Sequence, residues 1–138
     1  EKEIVSKLGD IWQLGEHRII CADALKQESY SALMGEEKAD MVLVAPATAN
    51  IIGKMACGIC DDLLTCIIQA TKAPVMLSPA MNDNMYAHPV TQDNIRKLKK
   101  LGVRFVEPVK GKLACGKTGP GCLASVETIV EAVKKVLR

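Results

Sequence analysis

The chain has 138 residues, 49% of them hydrophobic and 25% charged, with a net charge of +2 and a mean hydropathy of +0.12. That length suits one domain, residues 1–138, able to bury roughly 70% of its unfolded surface. The near-neutral charge gives no electrostatic basis for nucleic-acid or membrane partners. No secretory signal occurs and no apolar run approaches the ~18 residues of a membrane-spanning helix, which points to the cytoplasm. Only four aromatic residues occur, Trp12, Tyr30, Tyr86 and Phe105, so the core must be aliphatic, as suits parallel strands covered by helices.

In chain order, residues 11–14, the Gly15-Glu16 turn and residues 17–21 read as two short strands joined tightly. Residues 24–33 carry Ala24, Leu25, Ala32 and Leu33 at helical spacing and stop at Gly35. Residues 41–45 form an apolar run closed by Pro46, the pattern of a buried parallel strand, and a long helix is expected over residues 50–70. Residues 75–77 are a second buried strand closed by Pro79. A polar loop over 81–89 leads into a helix over 90–101 that Gly102 ends. Residues 103–106 form a strand, 108–125 a Gly-rich loop, and 126–137 an amphipathic helix capped by Ser125, with Lys134, Lys135 and Arg138 at its negative end. This alternation predicts a three-layer α/β sandwich with a mostly parallel sheet, strands near 18–22, 41–45, 74–78 and 103–107, and an antiparallel edge strand from 11–14.

Residues 111–118, Gly-Lys-Leu-Ala-Cys-Gly-Lys-Thr, match the P-loop pattern in letters. A P-loop needs a helix opening at its Lys-Thr to turn amides toward phosphate. Here Gly119-Pro120-Gly121 follows, which cannot open one there, so the match is rejected. Cys57-x-x-Cys60 raises the question of zinc. Its only candidate partners, Cys115 and Cys122, have six residues between them, against the tight paired spacing such sites need. Small thiols on the faces of a helix are the better reading of Cys57, Cys60 and Cys66, and no metal is expected.

Ligands of open parallel sheets bind beyond the carboxyl ends of the strands. Two such ends read Pro46-Ala47-Thr48-Ala49-Asn50 and Pro79-Ala80-Met81-Asn82-Asp83-Asn84-Met85-Tyr86, and Leu113-Ala114-Cys115-Gly116 lies near the C-terminus. These segments resemble the three ordered motifs of the flavin-dependent cysteine decarboxylases. Within that family the resemblance is strongest to members that act on phosphopantothenoylcysteine in coenzyme A synthesis. It runs without a gap over residues 41–138 and implies a Rossmann-like, flavodoxin-like fold with FMN as cofactor. It also implies flavin contacts from Pro46, Ala47, Thr48 and Asn50, a substrate site from Met81, Asn82, Met85 and Tyr86, and Cys115 as the catalytic proton or reducing partner that turns the enethiol product into a thiol. Family members form trimers, so the resemblance further implies a homo-oligomer. Three positions depart from the family pattern: Ile51 replaces Thr, Tyr86 replaces Trp, and Lys117 replaces the Asp that follows Ala-Cys-Gly. An ammonium at Lys117 would favour the Cys115 thiolate.

The family's phosphate-binding Gly/Ser loop and catalytic histidine have no match in the first forty residues. His17 and His88 lie elsewhere and read as surface histidines. Residues 8–23 and on to Ala39-Asp40 instead resemble the segment that precedes Asp-Pro-Pro-Tyr in DNA amino-methyltransferases. That tetrapeptide is absent, since Val44-Ala45-Pro46-Ala47 stands in its place, and so is a Phe-x-Gly-x-Gly segment, which excludes methyl transfer. The expectation is therefore a recombined chain joined near residues 40–44, catalytically inactive and with at most residual FMN binding. The alternatives are a functional decarboxylase of coenzyme A synthesis or a purely structural chimera without ligand.

Overall fold

The computed structural model describes residues 7–15, 17–21, 27–35, 39–113 and 116–138. Ile11–Leu14 (β1) and His17–Ile20 (β2) pair antiparallel around Gly15, and Gln27–Met34 (α1) follows. The strand expected near 18–22 is thus not a member of the parallel sheet. Its two-residue connection to β1 can join only antiparallel neighbours, because parallel partners need a crossover of a dozen residues or so.

Val42–Ala47 (β3), Val75–Pro79 (β4) and Arg104–Phe105 (β5) form the central sheet, parallel and in that order. Ala49–Cys57 (α2) and Leu63–Ala70 (α3) connect β3 to β4; Asp83–Ala87 (α4) and Pro89–Lys100 (α5) connect β4 to β5. The single long helix expected over 50–70 is two. Gly58 takes the left-handed conformation, φ 71°, and its N–H returns to Lys54 and Met55, which closes α2. Asp62 then opens α3 with a reciprocal capping box to Thr65.

Adjacent residues of β4 face opposite layers, as the two-residue repeat of a strand requires. Leu77 packs with Val44, Ile51, Ile52, Ala56, Ile95 and Leu98 beneath α2 and α5. Met76 packs with Val106, Ala124 and Ile129 beneath Val126–Val136 (α6). The result is the three-layer α/β sandwich. Ile52 and Leu77 are fully excluded from solvent, and burial of such a side chain is worth about 1.5–3 kcal/mol.

The expected Gly-rich loop over 108–125 is an antiparallel hairpin, Val109–Lys112 (β6) and Thr118–Cys122 (β7). A strand reading Thr-Gly-Pro-Gly-Cys has almost no β-propensity. It is tolerated because this ribbon has only two strands, so Pro120 need not donate on a second side. Lys117-Thr118 therefore leads into a strand, not into a phosphate-binding helix.

Candidate functional site

Three chain segments meet at the carboxyl end of the sheet through backbone hydrogen bonds. Ala80 N–H donates to the Ala47 carbonyl at 3.1 Å, tying the end of β4 to the end of β3. Met81 N–H donates to the Gly121 carbonyl at 3.0 Å, tying the same loop to β7. Gly121 adopts φ 132°, and a Cβ there would strike the Met81 carbonyl oxygen. Gly119 is also close-packed, though less tightly: its Cβ would lie 3.0 Å from Asp83 Cβ. The two glycines let the hairpin lie flat on α4. Between them opens a cleft of about 560 Å3 lined by Ala80, Met81, Asn82, Lys112, Leu113, Gly121, Cys122 and Leu123.

Of the residues singled out in the sequence, Met81 and Asn82 line this cleft directly. Asn82 is the N-cap of α4, its Oδ1 accepting from Asn84 N–H at 2.9 Å. Met85 is exposed on α4, 48% accessible. Tyr86 turns its hydroxyl away to donate to Glu107 at 2.9 Å, while its ring packs on the core beneath α2 and α5. Pro46, Thr48 and Asn50 are exposed at the end of β3 and the first turn of α2, whereas the Ala47 methyl is wholly buried. Thr48 is the N-cap of α2, accepting from Ile51 N–H at 3.4 Å. Ile51, at the family's threonine position, is a core residue.

Cys115 lies outside the described residues, as does Ala114. The residues on either side are pinned: Leu113 N–H donates to the Lys117 carbonyl at 2.8 Å and Gly116 N–H to that of Leu113 at 2.9 Å. Lys112 and Leu113, the hairpin residues just before Ala114, line the cleft. Sequence reading missed Lys112, Gly121, Cys122 and Leu123 as cleft residues. The one available signal was the Gly-Pro-Gly run, which marks a place where backbone must approach backbone.

Behind α4, the Tyr86 hydroxyl and Lys99 Nζ both donate to Glu107, Lys99 at 2.5 Å. Burial pushes the Tyr86 phenol up to about 12, helped by its hydrogen bond to the Glu107 carboxylate. Burial alone would raise Glu107, but the hydrogen bonds from Lys99 and Tyr86 outweigh it and hold the carboxyl below its usual range. Gln92 Nε2 adds a bond to the Tyr86 carbonyl at 2.6 Å. His88 caps α5, its Nδ1 accepting from Val90 N–H at 3.3 Å. Cys57 ends α2 and Cys66 lies in α3, on helices as expected, whereas Cys60 falls on the bend between them, and all three are exposed.

A family model described as Flavoprotein matches residues 3–138. The chain belongs to the Flavoprotein family. It is 44% identical over 125 residues to the coenzyme A biosynthesis bifunctional protein CoaBC of Bacillus subtilis, covering 88% of this chain and 30% of that protein. It is 48% identical over 101 residues to phosphopantothenoylcysteine decarboxylase of Mus musculus, covering 72% of this chain and 50% of that protein. Among solved structures, a PPC decarboxylase cysteine-to-serine mutant complexed with pantothenoylaminoethenethiol is similar at TM-score 0.69 and 40% identity. That match covers 70% of this chain and 54% of the other. The chain thus spans half or less of the length of these two curated relatives.

The flavoprotein match corrects the reading of the first forty residues. It starts at residue 3 and crosses the join expected near 40–44, and an alignment over 88% of the chain exceeds what residues 41–138 alone supply. Nothing in these matches points to a methyltransferase segment or a chimera. The expectation of a recombined, inactive chain is overturned by relatives 44–48% identical over most of its length that are decarboxylase or coenzyme A biosynthesis proteins. A short strand-turn-strand pattern recurs in many α/β proteins, so likeness over a quarter of a chain carries little. No helix among the described residues is long and apolar enough to cross a membrane.

Proposed function

We propose that this flavoprotein chain contributes the substrate half of an FMN-dependent decarboxylase acting on phosphopantothenoylcysteine in coenzyme A synthesis. The observation that carries this reading is the docking of the β6–β7 hairpin on the Met81-Asn82 loop. It brings the Met-Asn motif and the walls flanking Cys115 to one cleft at the carboxyl edge of a parallel sheet. The similar decarboxylases, and the enethiol ligand of the solved relative, support it.

The residues present fit a flavin. Thr48 and Asn50 are exposed at the start of α2, and a carboxamide both donates and accepts, which matches the mixed polar edge of the isoalloxazine ring. Bound FMN would supply oxidation of the substrate's cysteinyl thiol to a thioaldehyde, the electron sink that makes loss of carbon dioxide feasible. Pro46 and the Ala47 backbone would border the ring. The Asn82 carboxamide would donate to the departing carboxylate and orient it. Met81 walls the cleft with an adaptable thioether side chain, exposed Met85 on α4 would cover its mouth, and half-buried Tyr86 would steady α4 beside the substrate. Lys112 adds positive charge that draws in an anionic substrate. Cys115 would hand a proton to the enethiol product on its way to the thiol. Phosphate anchoring is assigned to none of these residues. The family's trimer, with flavin at subunit contacts, is the assembly that goes with this reading, in the cytoplasm and without nucleic-acid or membrane partners.

The test is release of carbon dioxide from phosphopantothenoylcysteine with FMN supplied, alongside titration of flavin fluorescence. Turnover with quenched flavin emission is expected. Unchanged FMN fluorescence at high micromolar protein, together with no carbon dioxide, would overturn the proposal.

A further inference from the structure

The Cys57-x-x-Cys60 spacing suggested one thiol pair, but the fold assembles another. The bend between α2 and α3 brings Cys66, in the second turn of α3, back onto Cys60, so that Cys66 Sγ donates to the Cys60 carbonyl at 3.6 Å. We propose that Cys60 and Cys66 form a reversible intramolecular disulfide on reaction with a hydroperoxide, a thiol-oxidation site separate from the flavin cleft.

Four observations support the pairing. Cys60 and Cys66 are both exposed, so an oxidant reaches them without unfolding. The Cys60 thiol is pushed up from its usual value by its hydrogen bond with the Cys66 thiol first, and by burial and the nearby Asp61 and Asp62 carboxylates after that. The position of Cys66 Sγ, 3.6 Å from the Cys60 carbonyl oxygen, agrees with that pairing, while the raised pKa lowers the thiolate fraction and slows the first attack. The bend itself is held: Lys54 Nζ donates to Asp61 at 2.6 Å and Asp62 at 2.8 Å, and the Asp62–Thr65 capping box fixes the first turn of α3. A disulfide needs its two Cβ atoms about 4 Å apart, a separation set by the backbone of the bend, and rotation about χ1 then turns the two sulfur atoms toward each other. Cys57 is also exposed, yet it belongs to the last turn of α2, on the far side of the Gly58 reversal.

The chemistry closes without a further reagent. One thiolate attacks the hydroperoxide, its S–O bond forming as the O–O bond breaks and an alkoxide leaves. The second thiolate attacks that sulfenic sulfur, and hydroxide leaves as the S–S bond forms. Two thiols and one hydroperoxide thus become one disulfide, one alcohol and one water. In a reducing compartment such an exposed bridge is of the transient, reducible kind.

The experiment treats the purified chain, in its folded state, with hydrogen peroxide, blocks remaining thiols with iodoacetamide and digests with trypsin without reduction. The peptide over residues 55–72 holds Cys57, Cys60 and Cys66 together. The expected product carries one carbamidomethyl group, at Cys57, and is lighter by two hydrogens than the same singly alkylated peptide with Cys60 and Cys66 as thiols. It should show no backbone fragments between residues 60 and 66 until a reductant is added. Cys57→Ser should leave the bridge in place, and either Cys60→Ser or Cys66→Ser should abolish it. A bridge that includes Cys57, alkylation of all three thiols after peroxide, or a crosslink between chains in place of the internal one would each overturn the proposal. Since the unsubstituted protein gives the primary result, a variant that folds poorly does not blunt the test.

Discussion

Gly121 shows how one residue sets the site. Its φ of 132° lies in backbone space that side chains avoid, and the Met81 carbonyl occupies the place of a Cβ. Gly121→Ala is expected to cost at least about 1–3 kcal/mol of backbone strain, read as a lower denaturant midpoint, and to weaken turnover by lifting the hairpin off the Met81 loop. Tyr86 makes a second prediction at this scale. Its pKa rises from 10.0 to about 12 in the folded protein. A raised pKa contributes stability that is fully present below pH 10 and is lost as pH climbs from 10 through 12. Solvent near this half-buried group screens the effect, so its size is modest. Tyr86→Phe should flatten the fall in the urea midpoint across that window, and an unchanged slope would refute the role given to burial and Glu107. Neither residue's setting is legible in sequence. The Gly-Pro-Gly run hints at close backbone approach without naming the Met81 carbonyl as its object, and Tyr86 can be matched to a family motif without revealing its partner 21 positions away.

Helices α2 and α3 illustrate what local signals can and cannot say. Apolar periodicity runs across residues 50–70 nearly unbroken, because both helices turn an apolar face to the same sheet. The break comes from a left-handed Gly58 and from the carboxylates of Asp61 and Asp62 gathered by Lys54. The hydrogen bond from Lys54, followed by those from Thr65, holds the Asp62 carboxyl near 2, below its ordinary 3.8. That contribution is present above pH 3.8 and is lost as pH falls from 3.8 through about 2. Asp62→Asn keeps a capping oxygen but removes the charge, so it should flatten the acid limb of stability in that range while the helix content by circular dichroism stays constant. In contrast, the cap of α6 was plain in the sequence: Ser125 precedes the apolar stripe and accepts from Thr128 N–H at 3.2 Å. The β6–β7 hairpin was not, because Gly-Pro-Gly argues against a strand on every local criterion. It forms because α4 and the Met81 loop give it a surface to lie on.

For the molecule as a whole, one core on each face of a three-stranded sheet sets the stability, and Leu77 is its fully buried centre on the α2–α5 side. Leu77→Ala should cost about 2–5 kcal/mol, measured by urea denaturation at neutral pH. A ligand that binds only the folded chain adds to that stability by mass action. FMN at a hundred times its dissociation constant should therefore add about 2.7 kcal/mol, and a denaturant midpoint indifferent to FMN would count against the flavin site. By itself the sequence determined the layer order, the strands that close in proline, most helix ends and the family of residues 41–138. Each of these depends on periodicity, capping or short motifs that act within a few residues. Only the tertiary structure decided that the last Gly-rich segment is a cleft-forming hairpin, that Tyr86 is held by Glu107 and Lys99, and that Cys60 meets Cys66 and not Cys57. Those contacts join positions whose separation along the chain carries no period, so they exist only once packing of the sheet and its helices has brought them together.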